Sequence, residues 1–512
     1  MISGSLCISA VLLVCLSEKA MLKDVTAEIK SNATEGAQPA TNSPWVSLLR
    51  SRRLLAAAAV FHLVITVTVS VIGHFGVLPG VFDRNGIATA VASDGTKLRA
   101  EAARRSDELT HGQIRDWFHA NTPFYLKLYS VCFATIGIVF GPTVLSAEPV
   151  NSFFYLAVLI LVFQLGQELF NRRTGYVVAA AVAVWPSFVL HTTQLLRDPM
   201  FIAGMLAFTL AAVRLLTRSF SWRAAILTAL AGGLMATLVW LSRDTMGEVL
   251  IATAAIAGLL ALVRLLAEKW RQVKSAGTKF SWRGHVPTLV GMVLLLTLSV
   301  GVTRVIPKFH RQYKNTPSID TSQPDDWKNS RRLKRDVRLE PQTEAPADPW
   351  SRLVARIGRL RQGFTIEFSD AGSNLDPDIQ INNTADVVRY LPRAAMIGYF
   401  APFPNMWLST GNQVGRGGRI LSGVETVALY LIEALALVGL WGGRRLVAAW
   451  FLWLVSALGL ISLGLVVVNV GALYRLRYVF AILLMILATE GGRRIFESFQ
   501  KRKPHLASSR LE

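Results

Sequence analysis

The feature that most constrains this chain is a succession of long apolar runs with almost no charge inside them. Leu54–Phe75, Val150–Phe170, Ala224–Leu241, Val249–Leu266, Pro287–Ile306, Ile420–Trp441 and Leu446–Asn469 are the clearest. Gly175–Leu216 holds two more, and Arg477–Glu490 a last one. A helix of roughly 20 apolar residues crosses about 30 Å of hydrocarbon. Strands of an outer-membrane barrel alternate in polarity over about ten residues, and these runs do not. With 52% hydrophobic and only 17% charged residues, the chain reads as all-α and polytopic, with ten transmembrane helices.

Charge in the loops sets orientation. Arg50, Arg52 and Arg53 precede the first run, Arg172-Arg173 follow the second, and Arg214, Arg218 and Arg223 occupy the next even-numbered loop. The same side receives Lys269, Arg271, Lys274, Lys279 and Arg283, then Arg444-Arg445, then Lys501-Arg502-Lys503. Basic short loops stay cytoplasmic, so both termini are expected inside. The resulting division is a cytoplasmic segment 1–53 with a marginal anchor at 6–16, and a membrane core 54–306 whose first external loop is 76–122. A long external loop 307–419, C-terminal helices 420–490 and a basic cytoplasmic tail 491–512 complete it. Pro123–Phe140, broken by Lys127, reads as a helix in the outer interface, and residues 385–407, with Pro392 and several aromatics, as a second interfacial segment. The net charge of +21 sits mostly in loops, which favours membrane and lipid phosphates over nucleic acid as partners. Cys7, Cys15 and Cys132 have no metal-binding or disulfide spacing.

Three outward features carry charge. Ser93-Asp94-Gly95 lies beyond the first run, where a carboxylate can act as general base; Asp83 competes for the role, and an ordinary Asp-Gly turn is the plain alternative. The polar turn His191–Gln194 leads to Arg197-Asp198, with Arg243-Asp244 as its counterpart on the next outward turn. Arg475 and Arg477-Tyr478 close the third turn. Guanidinium groups suit phosphate oxygens, but each arginine alone can equally snorkel to the headgroups. Asp370–Asp378 is oxygen-rich without EF-hand spacing, so a turn-rich linker is the better reading. No P-loop, GxGxxG, HExxH or GxSxG occurs; no cofactor is called for, and a divalent metal is unsupported.

The order of these pieces resembles the GT-C superfamily of membrane glycosyltransferases. The nearest group is that of dolichyl-phosphate-mannose-protein mannosyltransferases (family 39) and bacterial aminoarabinose transferases. The matching pieces are Ser93-Asp94 with Leu98 and Ala102, Tyr125 before Gly137 and Phe140-Gly141, and Asn151 opening a run that ends in Leu169–Gly175. Trp185-Pro186-Ser187, Gln194–Pro199, Ser242-Arg243 and Gly471–Tyr478 follow. Coverage is best over 80–250, with a second match near 400–480. The resemblance implies inverting sugar transfer from a polyprenyl-phosphate donor to an envelope glycan, lipid or protein acceptor, on the external face of a plasma (inner) membrane. It gives Asp94 the role of base and Asp198 that of supporting the acceptor or base. Arg243, Arg475, Arg477 and Arg197 become candidates for the donor phosphate, with Tyr478 and Gln194 in support. The chain departs from the family at Leu98, where an aromatic is usual, and at Gly95, where a second acidic residue is common. Two other readings remain: an O-antigen or exopolysaccharide polymerase or ligase, and a transporter or non-catalytic assembly subunit.

Overall fold

A computed structural model describes residues 44–89, 94–120, 122–274, 285–304, 348–369, 371–408 and 416–508. The 6–16 segment, Ser93, Asp370 and most of the external loop before Asp348 lie outside the described residues. The helices are α1 Pro44–His74, α2 Asp94–Thr110, α3 Ile114–His119, α4 Phe124–Thr135, α5 Gly137–Phe140 and α6 Val144–Leu169. There follow α7 Arg172–Ala183, α8 Pro186–Thr192, α9 Asp198–Thr217, α10 Trp222–Ser242, α11 Gly247–Lys274 and α12 Val286–Arg304. The chain continues with α13 Pro349–Glu367, α14 Thr384–Phe400, α15 Arg416–Gly442, α16 Val447–Val466, α17 Val470–Leu476 and α18 Tyr478–Ser508. Among the described residues there are only isolated β-bridges, at Phe82–Ala88 and Asn374–Asn469.

Eight of these helices are long and apolar enough to cross a membrane, and two bent pairs raise the number to ten. The protein is therefore an all-helical, multi-pass membrane protein. Its outside is apolar and its polar residues point inward: on α1, Val60, Val64 and Val71 are exposed while His62 and Thr66 are fully buried. Lipid replaces water around such a bundle, so a polar side chain is stable only where it finds a partner inside. His62 finds Glu148 of α6, its Nδ1 2.8 Å from the carboxylate, and stacks on Tyr155. Thr66 donates a second bond to the same carboxylate.

Two runs are not the straight spans the sequence suggests. The first half of Gly175–Leu216 divides into α7 and α8, bent by 69°. Pro186 removes a backbone donor and pushes Trp185 into an extended conformation (φ −67°, ψ 113°). The last run is likewise the second half of a pair, with α17 and α18 meeting at 52° around Arg477. Pro392, by contrast, does not interrupt its segment: α14 runs continuously through it. Pro123–Phe140 forms α4 and α5, neither of them among the span-length helices.

Small residues set the tightest crossing. A side chain at Gly439 of α15 would meet the Leu487 carbonyl of α18 at 1.9 Å, and one at Gly491 the Leu435 carbonyl at 2.0 Å. Backbone-to-backbone contact of this kind is how helices associate without a hydrophobic driving force. Outside the bundle, α13 and α14 pack against α16. Arg361 of α13, only 2% exposed, fixes this arrangement. It donates to the carbonyls of Asp376, Ile379 and Leu465 and stacks on Tyr390.

Candidate active site

Asp198 begins α9, with Arg197 at the N-cap and Pro199 in the first turn. The segment before it is held from three directions. Gln194 accepts from the Ala88 amide at 2.8 Å, Asn151 donates to the Thr193 carbonyl at 3.1 Å, and the Tyr129 hydroxyl lies 2.9 Å from the Leu196 carbonyl. Arg243 closes α10 and turns its guanidinium onto Asp198, with Nε 3.1 Å from Oδ1 and a second, shorter contact through Nη2. Both side chains are buried, Asp198 nearly completely.

Arg475 arrives from the far end of the chain on α17. Asn469 caps that helix by accepting from the Ala472 amide, and its own side-chain amide reaches Ser373 in the segment between α13 and α14. Arg475 donates to Asp94 at 3.1 Å and lies 3.8 Å from Asp198 Oδ2. That Oδ2 is buried with no hydrogen-bond partner, so the Arg475 charge 3.8 Å away is what faces it. Asp94 is not a turn residue: it opens α2, and its side chain remains 46% exposed. Gly95 beside it is buried, and an added Cβ would lie 3.0 Å from the Ile87 side chain. A side chain there would need Ile87 to give way by a few tenths of an ångström.

Two carboxylates and two arginines from four separate parts of the chain therefore form one array, with Arg197 adding a third guanidinium next to Asp198. Arg475 also lines a cavity of about 360 Å³. Its walls come from α8, α15, α17 and the residues around Ser373 and Trp407 that flank α14. Deeper in, Glu425 of α15 accepts from the Ser187 amide at 2.9 Å, from the Ser187 hydroxyl and from Tyr474.

The remaining sequence candidates sit elsewhere. Asp83 organises its own turn, accepting from the Asn85 and Ile87 amides at 2.9 and 2.8 Å. Gln194 is spent on the Ala88 amide that it anchors. Arg477 is buried, donates to the Ala401 carbonyl and stacks on Tyr474 at 4.4 Å. Tyr478 donates to Ser187 at 2.8 Å. Asp376, from the oxygen-rich loop, is held by Arg393 and Tyr390. The hydrogen bonds from Arg393 keep its carboxyl below the usual range. The sequence reading missed Glu425, whose only signal was a carboxylate inside a spanning run.

No family model matches the chain, and no curated protein does. Among solved structures, the chain is similar to the archaeal oligosaccharyltransferase AglB from Archaeoglobus fulgidus, in complex with an inhibitory peptide and a dolichol-phosphate. The identity is 13% and the TM-score 0.43, over 90% of this chain and 52% of that one. The chain thus spans about half the length of that structure.

Proposed function

We propose that this protein is a membrane glycosyltransferase that moves a sugar from a polyprenyl-phosphate donor to a cell-envelope acceptor on the external face. The observation that carries the reading is the Asp94–Arg475–Asp198–Arg243 array, whose Arg475 also lines a cavity. Three guanidinium groups against two carboxylates leave a positive excess, which suits a lipid phosphate. Asp94, paired with Arg475 yet partly open to solvent, is the base. It takes the proton from an acceptor hydroxyl as that oxygen bonds to the anomeric carbon. The bond from that carbon to the phosphate oxygen breaks, and its electron pair leaves with the lipid phosphate. Arg475 and Arg243 offset the charge that develops there. Attack opposite the leaving group inverts the anomeric centre. Asp198 holds the two arginines in register.

The test is transfer in proteoliposomes holding the purified full-length chain, a polyprenyl-phosphate hexose labelled in the sugar, and envelope extract as acceptor. Labelled product with wild type, absent with Asp94→Asn at equal protein level, supports the reading. Equal transfer by both removes it. A second reading, transport, is favoured by the two broken helices, since transporters bind their cargo at such breaks. Protein-dependent uptake of free solute by these vesicles, without transfer, would select it.

A further inference from the structure

The cavity lining holds a group that the proposed chemistry does not use. Glu425 lies nine residues into α15, about 14 Å along the helix, inside a segment long enough to span. A carboxylate offers about four acceptor positions. The Ser187 amide takes one on Oε1, and the Ser187 and Tyr474 hydroxyls take two on Oε2. One position on Oε1 remains. The surrounding protons all run toward it, because Tyr478 donates to Ser187 and Ser187 in turn to Glu425. Among the described residues no ion pair involves Glu425; its side-chain partners are the Ser187 amide and hydroxyl and the Tyr474 hydroxyl.

His191 lines the same cavity. Its Nδ1 is 2.6 Å from the Ser187 carbonyl, which can only accept. The proton therefore sits on Nδ1, assigned from that bond, and Nε2 is an acceptor. The cavity lining thus presents two acceptors from neighbouring side chains, with an aromatic side chain at Trp407 and two arginines, Arg419 and Arg475. Lipid tails have no use for acceptors, and a phosphate would be repelled by a carboxylate. Neutral hydroxyl groups fit.

We infer that Glu425 and His191 read hydroxyl groups of the donor's sugar, while its phosphate rests at Arg475. This rests on the glycosyltransferase reading and goes further, since it makes Glu425 a residue that determines sugar specificity. Binding to the detergent-solubilised full chain tests it. The probes are a short-chain polyprenyl phosphate, bare or carrying glucose, mannose or galactose. In wild type at least one glycosylated lipid binds roughly tenfold or more tightly than the bare one, the worth of a charge-assisted hydrogen bond. Glu425→Gln and, independently, His191→Asn bring that ratio close to one, while Arg475→Ala weakens bare and glycosylated lipids alike. If no glycosylated lipid outbinds the bare one in wild type, or if the ratio survives in whichever of the two variants folds, the sugar-reading role is overturned. If neither kind of lipid binds wild type, the donor reading itself fails and this inference with it.

Discussion

Asp94 and Arg475 stand 381 positions apart in the chain and meet at 3.1 Å. Their ion pair ties the start of α2 to the end of α17. Under the proposed function Arg475 receives the phosphate and Asp94 is the base, so donor binding places the base. Asp94→Asn keeps the size of the side chain and removes its basicity. A general base is typically worth 10²–10⁴-fold, so sugar transfer should fall by roughly that factor with melting temperature little changed. Transfer rates and a thermal melt in the same detergent check both halves.

Arg243 and Asp198 make the more buried pair. Removing one partner strands the other charge, at a cost of about 3–5 kcal/mol. Arg243→Ala should therefore lower stability strongly, whereas Arg243→Gln with Asp198→Asn should recover most of it, because neither site then carries a charge. A double-mutant cycle on thermal stability measures the coupling; additive losses would mean that the pair does not act as a unit.

What the sequence made legible follows from what can be seen in one dimension. The spans are runs of apolar residues, and the charged turns stand out between them, so Asp94, Asp198, Arg243 and Arg475 could be picked one by one. Their meeting could not, because it depends on how four helix ends pack. Asp83 and Asp94 look alike as letters; only the turn hydrogen bonds of Asp83 separate them. His62 and Glu148 were hidden because each sits alone in an apolar stretch, its partner 86 positions away. Glu425 was hidden for the same reason. The bends at Trp185 and Arg477 were also missed, since hydropathy measures length and not direction.

The His62–Glu148 contact makes its own prediction. Glu148 receives Thr66 as well as His62, and the His62 Nε2 meets Thr192 at 3.1 Å, just before the segment that leads to Asp198. Glu148→Ala should cost about 1–3 kcal/mol, as expected when buried donors lose their acceptor. It should also loosen residues 193–197, read as faster hydrogen exchange there. Unchanged exchange would show that the contact steadies α1 and α6 without reaching the site.

Acid should release α13 and α14 before it affects the spanning helices. Arg393 holds the Asp376 carboxyl below its usual range by hydrogen bonding, with Tyr390 donating alongside. A carboxyl depressed in the folded state stabilises fully above its unfolded value, near about 3.9, and loses that contribution as pH falls through the lower folded value. Protection of 371–400 from proteolysis should accordingly decline below about pH 4. Asp376→Asn should show less protection at neutral pH and a flatter acid response. Arg361 contributes to the same depression: its charge also lowers the Asp376 carboxyl, and it donates to Tyr390 as well as to main-chain carbonyls, so Arg361→Met should loosen the same helices at every pH and also flatten the acid response, by less than Asp376→Asn does. Identical pH profiles for wild type and Asp376→Asn would remove Asp376 as the titrating group.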